Sequence, residues 1–268
     1  MKIAGLLGLI AVVVAGCTYP FGYGQTESGG TTTVDYGVVL KVDADTTPSE
    51  TAINDAGRVI QARIEGLGAG GIVETLGSQC ILAGVSGNVE LERVLAVIER
   101  PGLLEFVDIM GAGLPIDSFT GQQIQTTESV DRGLSRPDAM LDGFLFYTVI
   151  TGSALSTAQA QYMQDFDQWV ISFELTPEGG DIFGAFTEAR IGQPLAIVLD
   201  GVVLSAPTIQ ARLDTGGVIS GNFTEDEARQ LGIQIQSGAL TTPMNVLASA
   251  TLDGDLAPLR GAYAADCE

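Results

Sequence analysis

The chain contains no histidine. That removes Ser-His and Cys-His nucleophile pairs and every histidine metal site at once, since each needs an imidazole as base or ligand. Lysine is nearly absent too, at Lys2 and Lys41 only, and 12 basic side chains face 33 acidic ones for a formal charge of −21. A surface of that sign repels nucleic-acid phosphates and anionic lipid headgroups, so neither is an expected partner. No apolar run reaches the roughly 20 residues that a membrane-spanning helix needs. There is no Walker loop, and GVSGN at 84–88 lacks the second glycine of a hydrolase elbow. DADTTPSE at 43–50 starts like a calcium loop but lacks its glycine and closing glutamate. No catalytic residue, metal or cofactor is assigned, and the chain is read as a non-enzyme.

What is there begins with MKIAGLLGLIAVVVAGC. A basic Lys2 and a short apolar run from Ile3 to Ala15 have the form of a secretory signal. Val14-Ala15-Gly16-Cys17 has the small residues and cysteine of a bacterial lipobox. The expectation is a signal peptide over 1–16, acylation of Cys17 (palmitate being one such chain), and a Gly/Thr/Ser-rich tether over 17–33. Each buried methylene of an acyl chain contributes about 0.8 kcal/mol, so two or three chains hold a protein firmly on a membrane. The folded part is then extracytoplasmic, in the cell envelope, at the outer face of the cytoplasmic membrane. That compartment permits a disulfide between Cys80 and Cys267. A cysteine on an apolar strand is ordinarily a buried thiol, however, and a chain end is ordinarily mobile; the reading leans to free thiols.

Hydrophobic periodicity places a strand at 36–43 and a helix whose Ile53, Ala56, Ile60, Ile64 and Leu67 form one apolar stripe, with Thr47 as its cap and Glu50 closing a capping box. A hairpin turning at Gly77-Ser78, a helix stopped by Pro101-Gly102 and the strand LLEFVDI follow. That order is the ferredoxin-like pattern. Residues 111–143 are Gly/Ser/Thr/Asp-rich and read as a long loop. Past it, LSTAQAQYM reads as a short helix and WVISFEL as an alternating strand. Thr176-Pro177 starts a helix, and Thr224 with Glu227 makes a capping box for another that stops at Gly238. MNVLASATL is a last strand, placed to return to the first sheet. Within LAIVLDGVVLSAPTIQ, Asp200 is either an acid in an apolar pocket or a turn residue. Two apolar strands separated by Asp-Gly favour the turn, because both central residues of a type I′ turn need positive φ.

From Trp169 onward the run V-I-S-F-E-L-T-P-E-G, F-x-x-F-T, L-A-I-V-L-D-G-V-V-L-S-A-P-T-I, G-G-x-I-S-G, F-T-x-x-E-A and S-G-A-L closely resembles the large extracytoplasmic domain of SecD. SecD is the export subunit that works with SecF beside the Sec translocon. YGVVLKVD, RVIQARIEGLG, PGLLEFVDI and ITGSALSTAQA match the same pattern upstream.

The resemblance implies an α+β fold with a ferredoxin-like base (34–110, completed by 238–252), an inserted α+β head (111–237) and a C-terminal tail (253–268). Hinges are expected at Met110-Gly111 and Ser237-Gly238. Asp200, Gly201, Pro207, Gly216, Gly217 and Gly221 are the signature turns of the head. The family's Asp-Leu-x-Gly-Gly segment is replaced by SGGTTTVD, and its transmembrane bundle, whose acids carry proton coupling, is not expected here. The implied role is binding of unfolded or emerging polypeptide in export or envelope protein maturation, with Sec translocon subunits as further partners. The alternative is a structural lipoprotein whose base docks an envelope complex and which has no client.

Overall fold

The computed structural model describes residues 33–43, 48–110, 119–132, 144–165 and 167–268. The signal segment, Cys17, the tether, Thr47 and Gly111 lie outside the described residues. The fold is α+β, with antiparallel sheets and helices packed on them.

The first sheet has the strand order β11-β1-β3-β2, from β1 (Tyr36–Val42), β2 (Gly70–Leu76), β3 (Cys80–Ser86) and β11 (Met244–Thr251). All three pairings are antiparallel. On one face lie α1 (Glu50–Gly66) and α2 (Leu91–Ile98), whose Ile53, Ile60, Ile64, Val94 and Ile98 share a core with Val38, Leu40 and Ile81. The capping residue of α1 is Ser49, whose side chain accepts from the Ala52 N–H. It lies one residue past Pro48, so the proline precedes the cap instead of following it.

The strand LLEFVDI is not the fourth member of this sheet. β4 (Leu104–Asp108) instead pairs with β5 (Tyr147–Thr151) and β8 (Leu195–Leu199) in a second sheet of order β5-β4-β8-β9, where β9 is Val202–Ser205. The place beside β1 is taken by β11. A third sheet, β10-β7-β6, joins β6 (Leu155–Met163), β7 (Gln168–Leu175) and β10 (Gly216–Phe223). The second and third sheets share a core with α4 (Pro177–Ala189) and α5 (Glu225–Ser237), centred on Phe106, Phe173 and Phe183.

Two local expectations fail for identifiable reasons. LSTAQAQYM is strand β6, not a helix: pairing with β7 outweighs the helix propensity of its alanines and glutamines. GGVISG is not a turn but the start of β10, paired with β7 and bulged after Ser220. A side chain at Gly216 would run into the Phe173 carbonyl, which explains a glycine inside a strand. Within the span 111–143, read from sequence as a long loop, the described residues 119–132 carry a short helix, α3 (Thr127–Asp131), with a Thr126–Ser129 capping box.

The last sixteen residues are built into the fold. Gly37 and Gly84 face each other across β1 and β3 and leave a trough on the second face of the first sheet. Leu252, Leu256 and Leu259 fill it; a Cβ on Gly84 would stand 2.9 Å from Leu256 Cδ1. Leu256 and Leu259 are buried, and each such burial contributes about 1.5–3 kcal/mol. Leu259 lies on helix α6 (Ala257–Tyr263). Beyond it, Cys267 forms a disulfide with Cys80, correcting the free-thiol reading. The Cys267 carbonyl accepts from the Ser78 and Gln79 N–H groups, Lys41 Nζ donates to the Asp266 carbonyl, and Arg260 pairs with Glu74. Chain ends fray when nothing holds them; this one is held at four places.

Candidate functional site

The chain passes from the first sheet's half to the other half after α2, and returns after α5. The two passages touch, with the Leu240 N–H donating to the Pro101 carbonyl at 2.8 Å. Arg63 of α1 is fully buried between them. Its guanidinium donates to the Val97 carbonyl at 3.1 Å, to that of Arg100, and to those of Pro101 and Gly238, each at 3.0 Å. Its Nε donates to Ser237 Oγ at 3.2 Å. One rigid fork of donors thus satisfies carbonyls at the C-terminal end of α2 and just past α5, groups that helix geometry leaves without intrahelical partners. Gly102, at φ 76°, allows this, since a side chain there would occupy the place of Arg63 Nη2.

Asp200 touches the same passage from the other half. With Gly201 it forms the β8–β9 turn, at φ 51° and 80°, as the Asp-Gly pair predicts. The Asp200 N–H donates to the Leu103 carbonyl at 2.9 Å, and Asp200 Oδ1 accepts from the Leu103 N–H at 2.8 Å. Burial raises its pKa, against the Leu103 N–H and the Arg63 charge. Burial likewise lowers Arg63 to about 10, partly offset by Asp200, which leaves it charged at neutral pH. The arrangement is a mechanical clamp. It has no exposed nucleophile beside a base.

The structure places the three described hinge positions differently from one another, and Gly111 lies outside the described residues. Ser237 and Gly238 sit in the clamp, and Gly238 caps α5 at φ 84°. Met110 is exposed and lies past β4, already within the second half, so the first passage falls at Arg100–Leu103. Arg63 did leave a sequence signal: it stands three residues after Ile60 and seven after Ala56, a charge at a core position of the stripe. Among the head turns, the Pro207 carbonyl accepts from the Leu195 N–H at 3.0 Å. Gly217 lies opposite Phe173, and Gly221 lies in the β10 bulge.

Beside the clamp lies an open groove of about 530 Å³. Gly66 of α1 and Arg93 of α2 contribute from one half, and Ala158 and Ala160 of β6 with Arg229 and Gln236 of α5 from the other. Gly232 brings α5 close to the strand; a Cβ there would lie 3.1 Å from the Ala160 nitrogen. Arg229 pairs with Glu225 and stacks over Trp169 at 5.3 Å, while Arg93 pairs loosely with Asp226 at 3.5 Å. A second buried acid, Glu105 of β4, lies elsewhere, under α3. Its pKa is raised by burial despite hydrogen bonds from Thr126 and Thr148. Among the described residues, no group of three or more His, Cys, Asp or Glu is placed to hold a metal ion, and no helix is long and apolar enough to cross a membrane.

Fold and site therefore define a two-part α+β protein, clamped where its halves meet and grooved across that junction. Residues 140–242 match the family described as SecDF, P1 head subdomain. Over 245 residues the chain is 32% identical to the protein translocase subunit SecD of Dictyoglomus turgidum, covering 89% of this chain and 51% of that protein. It is 34% identical over 202 residues to SecD of Aquifex aeolicus, covering 74% of this chain and 39% of that one. Its fold is similar to a SecDF crystal structure in a super-membrane-facing form, with a TM-score of 0.65 and 26% identity over 82% of this chain and 30% of the other. A second SecDF structure, of a membrane component that enhances protein export, gives a TM-score of 0.62 at 26% identity, over 81% of this chain and 100% of the other. The chain is a relative of SecD and carries its P1 head subdomain. It spans about half the length of the first two SecD relatives it matches.

Proposed function

We propose that this protein is a lipid-anchored, extracytoplasmic polypeptide-binding factor that assists protein export or envelope protein maturation at the outer face of the cytoplasmic membrane. It works without catalysis and without proton coupling of its own. Cys17 carries the anchor, and Sec translocon subunits are its neighbours. The observation that carries this reading is the SecD likeness over most of the chain, head subdomain included. The groove supports it physically: both halves line it, so a bound chain senses their relative position. The clamp at Arg63 gives the halves a defined joint about which to move.

The test is a titration of the purified full chain in detergent with unfolded segments of an exported protein, beside crosslinking in cells. Saturable binding and crosslinks to nascent exported chains are expected. Absence of binding at every accessible concentration, with crosslinks to one fixed folded partner, would overturn the proposal in favour of a docking lipoprotein. Turnover of a small substrate that is lost with specific carboxylates would overturn the non-enzymatic assignment.

A further inference from the structure

Glu105 of β4 is a fully buried carboxyl surrounded by uncharged groups. Thr148 Oγ1 of β5 donates to its Oε1 at 2.7 Å, and the hydroxyl of Thr126, the cap of α3, faces the same carboxyl. Its Oε2 has no partner among the described residues. The residues opposite it on the adjacent strands are Thr151 of β5 and Val198 of β8, neither charged. Its charged neighbours, Glu128 and Arg132, belong to α3 and its C-terminal end. They are paired with each other at 2.7 Å, so repulsion by one and attraction by the other act in opposition. An ionised carboxylate in such a place loses its water without compensation, whereas the neutral acid loses far less. The closed arrangement therefore favours the protonated form, the direction in which burial moves Glu105.

We propose that Glu105 is a pH-operated latch: protonated, it lets the α3 segment lie closed on the outer edge of β5, and ionised, it drives that segment off. The segment is held there by few bonds. The Phe146 N–H donates to the Gln125 carbonyl and the Thr127 N–H to the Phe146 carbonyl, each at 2.9 Å, and the Thr148 N–H donates to Thr127 Oγ1 at 3.0 Å. The helix itself has five residues. A joint of this size opens locally at much less cost than the whole fold. An open cavity of about 350 Å³ already borders Glu128 and Thr148, so a small displacement brings water to the carboxyl. Opening frees the outward peptide groups of Phe146 and Thr148 on either side of Tyr147, which is already exposed. Because ionised Glu105 is tolerated only in the open form, the open fraction rises with pH. The rise is up to about tenfold per pH unit between the ordinary glutamate range and the higher closed-state value, and it levels off above that.

The experiment is native-state hydrogen exchange of the full chain, from about pH 4.5 to about pH 8, with intrinsic exchange rates divided out. It is read at the Thr127 and Phe146 amides, with Leu40 of the first sheet as reference. Protection at Thr127 and Phe146 should fall about tenfold or more as pH rises, while that at Leu40 stays level. Glu105→Gln keeps an acceptor for Thr148 and carries no charge, so it should hold both amides protected at every pH. The double variant Glu128→Gln/Arg132→Gln should keep the pH dependence. In the wild type, the Glu105 carboxyl carbon, followed by NMR, should titrate over the same range as the two amides lose protection.

Protection independent of pH at Thr127 and Phe146 overturns the latch. So does a carboxyl titration that does not track the amides, a test that needs no variant to fold. An equal fall in Glu105→Gln assigns the effect to another group, and loss of the effect in the double variant assigns it to the surface pair; either overturns the role of Glu105. A fall shared by Leu40 shows opening of the whole fold and overturns the local device. The latch lies away from the groove, so each of these results leaves the polypeptide-binding reading standing.

Discussion

Replacing both disulfide cysteines, as Cys80→Ala/Cys267→Ala, should remove a large share of the protein's stability. The cross-link joins β3 to the penultimate residue over a sequence separation of 187. In the chain-entropy model, ΔS is about −2.1 − 1.5R ln n cal/mol/K. A loop of that length then gives about 5 kcal/mol at 25 °C. Some of this is not realised, because a real denatured chain keeps residual structure; the expected loss is about 3–5 kcal/mol. Alanine suits both sites, since both are fully buried beside Leu82 and Leu256 and take a small apolar group without a stranded polar atom. The leucines in the Gly37–Gly84 trough should keep α6 docked, so the variant folds but melts at a temperature lower by about 10 °C. The assay is urea unfolding of the oxidised protein and the variant, with m-values compared. The slope should rise in the variant, because an uncross-linked unfolded chain exposes more surface. A loss below about 1 kcal/mol with no change in slope would refute the reasoning. So would titration of both thiols in unfolded, unreduced protein.

Other perturbations probe the clamp and the buried acids. Arg63→Met leaves the Arg100 and Gly238 carbonyls without the guanidinium that donates to them and should cost about 3 kcal/mol or more in urea unfolding; a variant as stable as the parent would contradict the clamp. Asp200→Asn, which tolerates positive φ and keeps an oxygen for the Leu103 N–H, should change stability by less than about 1 kcal/mol. Asp200→Ala, which loses that acceptor, should cost about 1–3 kcal/mol; equal stabilities for the two would show that the bond contributes nothing.

Glu105 has a folded-state pKa raised by burial, so the folded protein binds its proton more readily than the unfolded one. Its contribution is therefore fully present below the unfolded-state pKa and lost as pH rises through the folded one. Relative to Glu105→Gln, the wild type should gain stability as pH falls through the acidic range. An unfolding difference independent of pH would show that Glu105 titrates normally.

Much of the fold is legible in the sequence where local chemistry decides it. The Thr224–Glu227 box, the Thr176-Pro177 start and the Asp200-Gly201 turn each follow from bonds or dihedrals confined to a few residues. What fails to read is decided at long range. β6 is alanine- and glutamine-rich because α5 passes close over it at Gly232, and only the pairing with β7 makes it a strand. LLEFVDI is a good strand in either sheet; its place beside β8 depends on residues ninety positions away. The Cys80–Cys267 bond depends on a trough made by two glycines on different strands. At the joint, Ser237 and Gly238 were legible as a helix stop, while the first passage falls at Arg100–Leu103, ahead of the composition change that begins at Gly111. Arg63 was visible as a charge on an apolar stripe. Its acceptors, spread from Val97 to Gly238, were not.

The central claim is that this protein holds extended polypeptide in the groove between β6 and α1. Photocrosslinking tests it most directly, with a photoreactive residue at Gln159 in the groove and a control at Ile191 outside it, using the full chain and an unfolded exported polypeptide. The account predicts an adduct from position 159 that unlabelled polypeptide competes away, and none from 191. Equal adducts from both positions, or none from 159 while polypeptide is bound, would contradict it.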